Sequence, residues 1–187
     1  MAKSVDQIER VEKTIHGLRD FMRKGELRLV HTDVAEIVQD ALRLVSAEAN
    51  DIGVSLLAVG SASLPLVMVD KIQIVQVLVN LLRNAVQAID TVHKEGGAVV
   101  VSSLPTGNGV EITVTDNGPG LHPHVLAHLF EPFVTTKKTG MGLGLSISKS
   151  IIDAHRGRLW GENGSEGGAV FRFTLTLADG ERENGGL

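Results

Sequence analysis

The sequence predicts an α/β protein in which a β-sheet is covered on one face by helices. Stretches whose apolar residues recur every three or four positions alternate with short β-branched runs. The chain then closes on two such runs separated by glycines. The 21 glycines are also clustered rather than spread, which points to a site built from loops.

In chain order, residues from Ser4 to Lys24 read as a helix, with Val5, Ile8, Val11, Ile15, Leu18 and Met22 on one face. Ser4 suits its N-cap and Gly25 its stop. That apolar stripe either docks on the chain's own domain or belongs to a helical bundle continuing upstream. Leu27 to His31 reads as a short strand. Asp33 caps the next helix, Glu36 completes a capping-box pattern, and Val34, Ile37, Val38, Ala41, Leu42 and Val45 form the apolar face. Asp51-Ile52-Gly53 ends it, and strands follow at Val54 to Val59 and Leu66 to Val69. Asp70 caps a long helix to about Lys94, with Ile74, Val75, Leu78, Val79, Leu82, Val86 and Ile89 inward.

Ala98 to Ser103 and Val110 to Thr115 pair as strands, joined by Leu104 to Gly109. After a loop at Asp116 to Gly120, a short helix fits Pro123 to Leu129 and a polar loop fits Glu131 to Gly140. Met141 to His155 returns to helical periodicity. Leu159 to Glu162 and Val170 to Leu177 are the closing strands, and the tail beyond Asp179 is polar and expected to be disordered.

A length of 187 residues suits one domain with a helical appendage. The net charge of −4 and an aromatic content of 3% argue against a nucleic-acid partner, which needs a basic face and stacking platforms. The absence of cysteine excludes disulfides and thiolate metal sites. No signal peptide is legible, and no apolar run approaches the roughly 20 residues of a membrane span, so a cytoplasmic location is expected.

Three clusters carry the chemistry. Asn80 and Asn84 lie four apart on one helical face, either facing solvent or offering amide oxygens to a ligand or a hard cation such as Mg²⁺. Asp116-Asn-Gly118-Pro-Gly120 follows a strand; it is either a plain turn or a place where backbone approaches a flat ligand and a carboxylate accepts from an amine such as adenine's. Gly140-Met-Gly142-Leu143-Gly144-Leu145-Ser146 leads a helix. It is either a flexible connector or an anion site of exposed N–H groups, with Lys137 and Lys138 just upstream. The spacing is neither a dinucleotide fingerprint nor a P-loop.

The order of these clusters, with Phe130-Glu-Pro-Phe133 between the second and third, resembles the ATP-binding domain of sensor histidine kinases, a Bergerat-type nucleotide fold. The resemblance covers about Leu27 to Leu177 and is closest to the FixL-like and NtrB-like kinases. It implies an α+β two-layer sandwich: a mixed, mostly antiparallel sheet covered on one face by about three helices. The N-terminal helix resembles the second helix of the dimerisation bundle. The implied domains are 1–25 for that partial bundle, 26–178 for the catalytic domain and 179–187 for the tail.

The resemblance also implies roles. Asn84 is the Mg²⁺ ligand with Asn80 nearby, and Asn80, Asn84 and Lys137 are the catalytic set. Asp116 bonds the adenine amine in a pocket shaped by Gly118 and Gly120. Phe130 and Phe133 anchor a mobile lid over Thr135 to Thr139, from which Thr136, Lys137 and Lys138 reach the nucleotide. Gly140, Gly142, Leu143, Gly144, Leu145 and Ser146 serve the triphosphate, and Gly168 is the last glycine of the pattern. The implied partners are ATP, a cognate response regulator, an upstream helix carrying the phosphoacceptor histidine, and a second copy of the full-length kinase.

Two departures qualify this. Hydrolytic relatives carry glutamate where this chain has Asn80, which disfavours an ATP-driven clamp or hydrolase, while the intact set of site residues disfavours a purely regulatory nucleotide module. None of His16, His31, His93, His122, His124, His128 and His155 has the acidic neighbour and downstream proline of a family phosphoacceptor. His122, His124 and His128 read as an exposed loop and short helix, with metal binding as the alternative.

Overall fold

The computed structural model describes residues 27–61, 63–93, 95–135 and 141–177. The helix expected over Ser4 to Lys24, the tail over 179–187, and Thr136, Lys137, Lys138, Thr139 and Gly140 lie outside the described residues.

The first described strand, β1 (Val30–Thr32), starts later than the sequence suggested and leads directly into Asp33. Asp33 caps α1 (Val34–Asp51), its Oδ1 accepting from the Ala35 N–H at 2.8 Å. The expected capping box is corrected: the Glu36 carboxylate turns to the Lys71 ammonium, 2.9 Å away, because a full opposite charge attracts it more than a backbone dipole. α1 ends as its residues demand. Gly53 takes φ +71°, Val54 N donates to Ala49 O at 2.9 Å and Gly53 N to Asn50 O at 3.1 Å, closing the last carbonyls.

Next come β2 (Ser55–Gly60) and β3 (Val67–Val69), the latter pairing antiparallel with β1. Asp70 then caps α2 (Lys71–Thr91), accepting from Gln73 N at 3.3 Å. Ile74, Val77, Leu78, Leu81, Leu82, Ala85, Val86 and Ile89 are buried along it. The expected face was too narrow. Val77, Leu81 and Ala85 are inside while Val75 and Val79 are only half-buried, because α2 is flanked on both sides by helices. α2 is long and apolar enough to cross a membrane, but here that apolarity fills the core.

β4 (Ala98–Thr106) and β5 (Gly109–Asp116) form a hairpin longer than expected, with only Gly107 and Asn108 between them. The Cβ of any other residue at Gly109 would stand 1.8 Å from the Leu175 carbonyl oxygen. A single turn, α3 (Pro123–Leu126), precedes α4 (Gly144–Ala154). β6 (Leu159–Asn163) and β7 (Ala169–Thr176) close the chain.

The main sheet runs β2-β4-β5-β7-β6, parallel at β2–β4 and antiparallel elsewhere. α1 packs over β2, α2 over β4 and β5, and α4 over β6 and β7. Val99, Val101, Ile112, Val114, Phe171, Phe173 and Leu175 point into that layer, while Glu111, Thr113, Thr115 and Arg172 take the opposite face and are half-buried. The result is the two-layer sandwich with three long helices on one face.

Candidate functional site

The site is organised along α2. The last residue of β5, Asp116, is 4% exposed, and its Oδ1 accepts from Gly118 N at 2.8 Å and Ala169 N at 3.2 Å. Charge-assisted bonds of this kind hold a carboxylate that burial alone would disfavour. Asn117 ties the same loop to the head of β4, its Oδ1 accepting from Ala98 N at 2.9 Å and its Nδ2 donating to Gly96 O at 3.0 Å.

Gly118 brings this loop against α2. A Cβ there would stand 2.9 Å from Asp116 Oδ1 and 3.4 Å from Ile89 Cγ1. Gly168, at φ +74°, lies closer still: its Cβ would be 1.8 Å from the Asp116 carbonyl oxygen. The glycine expected to end the pattern therefore seats the start of β7 on the aspartate's own backbone. Gly120 adopts φ +79° beside Asn163, whose side chain accepts from Leu121 N at 2.6 Å and donates to Leu121 O at 2.9 Å.

Further up α2, Asn80 and Asn84 are both half-buried. Asn80 faces α4: its Nδ2 donates to Ser148 Oγ at 3.0 Å, and its Oδ1 is 2.5 Å from the point where a Gly144 Cβ would stand. The Gly144 contact at Asn80 and the Gly118 contact at Ile89 are nine residues apart on α2, about 14 Å at the helical rise. The head of α4 forms the other wall. The helix expected from Met141 starts only at Gly144, because Gly142 sits at φ +69°, outside helical space. Leu143 caps α4 with no side-chain bond, so the first N–H groups, including those of Leu145 and Ser146, have no partner within the helix.

Phe133 N donates to Gly142 O at 3.0 Å, and a Cβ on Gly142 would strike the Phe133–Val134 backbone at 2.6–2.8 Å. Of the two expected anchors, Phe130 packs on the core. Phe133 is corrected: it is 75% exposed at φ +68°, and the backbone pairing with Gly142 holds the turn in place of its ring. Of the expected site residues, Asn80, Asn84, Asp116, Gly118, Gly120, Gly142, Leu143, Gly144, Leu145, Ser146 and Gly168 thus line α2 and the segments packed on it. Thr136, Lys137, Lys138 and Gly140 lie outside the described residues.

Sequence reading missed four residues. Asn117 and Asn163 brace the aspartate loop, and Ser148 holds Asn80. His155, 4% exposed, accepts from Asp70 N at Nε2 (3.0 Å), while its Nδ1 meets Ile151 O at 2.8 Å, joining the tail of α4 to the head of α2. Only a side chain's presence is legible locally; apart from Ile151, these partners are 19 to 85 residues away. His122 and His124 stack with centroids 5.3 Å apart and His128 pairs with Glu131 at 2.8 Å. Among the described residues no three histidine or acidic groups converge on a metal position.

Two hollows lie outside the Asn80–Asp116 cluster, the first adjoining the aspartate loop at Ile89 and Gly96. One of about 360 Å³ sits beside Ile52, Ile89 and Glu95, and a groove of about 410 Å³ runs between α1 and α2 at Leu44 and Ile72. Neither contains Asn80 or Asp116. The converging polar groups make the α2–β5–α4 surface the better candidate.

Comparison with known proteins gives one family for this geometry. Residues 69–179 match the model of the histidine kinase-, DNA gyrase B-, and HSP90-like ATPases. The chain is 41% identical over 178 residues to the sensor protein FixL of Bradyrhizobium diazoefficiens, covering 95% of this chain and 35% of that protein. It therefore spans about a third of the length of that relative. The full-length ShkA structure in complex with AMPPNP superposes with a TM-score of 0.78 at 29% identity, covering 94% of this chain and 38% of the other. Histidine kinase ThkA in complex with response regulator protein TrrA gives 0.78 at 26% identity, covering 95% and 50%.

Proposed function

The chain belongs to the histidine kinase-, DNA gyrase B-, and HSP90-like ATPase family, and from that membership we propose that it is the ATP-binding catalytic part of a two-component sensor histidine kinase. It transfers the γ-phosphate of ATP to a histidine imidazole on an upstream helix. Residues 1–25 belong to the dimerisation bundle, 26–178 form the catalytic domain and 179–187 the tail. The working kinase is a cytoplasmic-facing homodimer that passes the phosphoryl group to a response regulator.

The observation that carries this reading is the buried Asp116, oriented by two backbone N–H groups at one end of the α2 wall. A carboxylate there accepts from the exocyclic amine of adenine, whereas guanine offers a carbonyl at that position. The roughly 14 Å between the two glycine contacts on α2 suits an extended nucleoside triphosphate. Adenine at Asp116 then sends the phosphates to Asn80, Asn84 and the head of α4, where helix N–H groups and the positive dipole end receive anions. From the family resemblance, Thr136, Lys137, Lys138 and Gly140 are the further residues expected to serve the phosphates, together with Phe133.

Mg²⁺ fits the donors present. Asn84, with Asn80 nearby, offers hard amide oxygens, and Mg²⁺ characteristically takes few protein ligands beside nucleotide phosphates. When bound, it neutralises phosphate charge. The chain's own residues orient the nucleotide and leave water inactive. Asn80 takes no proton at neutral pH, and its Nδ2 is engaged by Ser148, so no general base stands where a hydrolase needs one. This supports transfer to an imidazole over hydrolysis.

Calorimetry with a non-hydrolysable ATP analogue and its GTP counterpart, each with and without Mg²⁺, tests the site. ATP-type binding strengthened by Mg²⁺ is expected, with no GTP-type binding; equal affinities overturn the adenine assignment. Incubated with γ-labelled ATP, the chain alone takes up no acid-labile label, and supplying the upstream helix with its histidine restores it.

A further inference from the structure

α2 and α4 meet through Asn80 and Ser148. Asn80 Nδ2 donates to Ser148 Oγ at 3.0 Å, and Ser148 is 2% exposed. Its neighbours on α4 use their hydroxyls locally: Ser146 donates to Leu143 O at 2.9 Å and Ser150 to Ser146 O at 3.0 Å. Ser148 instead reaches across to another helix. The opposite end of the same amide, Asn80 Oδ1, abuts Gly144, one turn earlier on α4.

We propose that Ser148 is a positioning residue, whose hydroxyl holds Asn80 so that its amide oxygen, not its NH₂, is presented at the head of α4. This rests on the nucleotide site proposed above. The terminal torsion of asparagine is broad and nearly two-fold, so an unanchored amide samples both orientations. The oxygen suits a cation and the N–H donors of a helix start; the NH₂ suits neither. A serine hydroxyl can pair with either end. The donor-rich head of α4 selects the oxygen, and Ser148 occupies the end that remains. Acting together, the two contacts present a ready-oriented acceptor at the phosphate side of the site. A glycine at 144 is required, because a Cβ there would displace Oδ1.

The test is a Mg²⁺ titration of the affinity for a non-hydrolysable ATP analogue, using the full chain in four forms: unchanged, Asn80→Ala, Ser148→Ala and the double variant. Ser148→Ala is expected to raise the Mg²⁺ concentration for half-maximal effect about three- to tenfold, the equivalent of one net hydrogen bond. Affinity without Mg²⁺ should stay nearly unchanged. In the Asn80→Ala background the second substitution should add nothing, because the hydroxyl acts through that amide. A Ser148→Ala shift that persists without Asn80, or no shift at all, overturns the proposal while leaving the site reading intact. If Asn80→Ala itself leaves Mg²⁺ dependence unchanged, Asn80 does not serve the cation and the proposal falls while Asn84 and Asp116 keep their assignments; only loss of ATP-analogue binding by the unchanged chain overturns the reading of the site. Melting without nucleotide checks the fold of each variant. Should Ser148→Ala not fold, Ser148→Cys keeps the volume with a weaker bond and is judged by the same criterion: a shift present with Asn80 and absent without it.

Discussion

Asp116 and Phe133 stand at opposite ends of the proposed nucleotide site, yet the first is 4% exposed and the second 75%. At the aspartate end, two backbone N–H groups fix Oδ1, Asn117 ties the loop to β4, and Gly168 presses β7 onto the same backbone. At the other end, the turn at Phe133 is joined to Gly142 by a backbone hydrogen bond and a close glycine contact, and the ring itself is turned to solvent. One end is over-determined by the core. The other is held by few contacts and is therefore the end that a ligand can reshape at low cost.

The largest expected effect tests the rigid end. In Asp116→Asn the oxygen should stay with the Gly118 and Ala169 N–H groups, turning the NH₂ toward adenine's own amine. Donor then meets donor, and nucleotide affinity should fall about a hundredfold or more, from one lost charge-assisted bond plus the repulsive contact. Calorimetry reads this directly, and near-normal affinity would remove Asp116 from the adenine site.

Paired glycine substitutions sharpen the contrast. Gly168→Ala combines a left-handed backbone with a backbone clash and should cost about 3 kcal/mol or more in a denaturant titration. Gly142→Ala meets the same kinds of strain at an exposed turn that can shift. It should cost about 1–2 kcal/mol while nucleotide affinity drops disproportionately. Equal stability losses at both positions would erase the distinction between the two ends. Hydrogen exchange offers an intermediate effect: protection at residues 141–146 should rise with an ATP analogue, while the amide of Ala169, already bonded to Asp116, changes little.

The smallest effect lies away from the site, where Lys71 bridges Glu36 at 2.9 Å and Asp40 at 3.0 Å between α1 and α2. The hydrogen bond from Lys71 holds the Asp40 carboxyl below the usual carboxylate range, and the Glu36 carboxylate, then Asp40, raises the Lys71 ammonium. A depressed carboxyl stabilises the fold above its unfolded value and loses that contribution as pH falls through the folded one. A raised ammonium stabilises below its unfolded value and loses the contribution as pH rises through the folded one. The stability difference between the protein and Lys71→Met should therefore be small and flat around neutrality. It should close only in acid below the usual carboxylate range and in alkali above the usual ammonium range.

Much of this was legible without coordinates. Asp33, Asp70 and Gly53 marked helix ends, and the three glycine- and asparagine-bearing clusters marked segments that the fold gathers along α2. Readings failed where a neighbour outweighed local pattern. Glu36 abandoned its own helix for Lys71, and α2 buried Val77, Leu81 and Ala85 because helices flank it on two sides. Glycines taken for the first turn of α4 proved to be of two kinds: Gly142 ends a turn at φ +69°, and only Gly144 is helical.

The sequence by itself determined the order of helices and strands, most of the apolar face of each, and the segments from which a nucleotide site is proposed. Hydrophobic period, capping chemistry and glycine's conformational range all act within a few residues and can be read from neighbours along the chain. Only the tertiary structure decided that Ser148 holds Asn80, that His155 joins α4 to Asp70, that Asn163 braces Gly120, and that Gly168 must lack a side chain because Asp116 lies against it. Those choices depend on which segments the packed core brings within 3 Å of one another, and sequence separations of 42 to 85 residues carry no local signature of that.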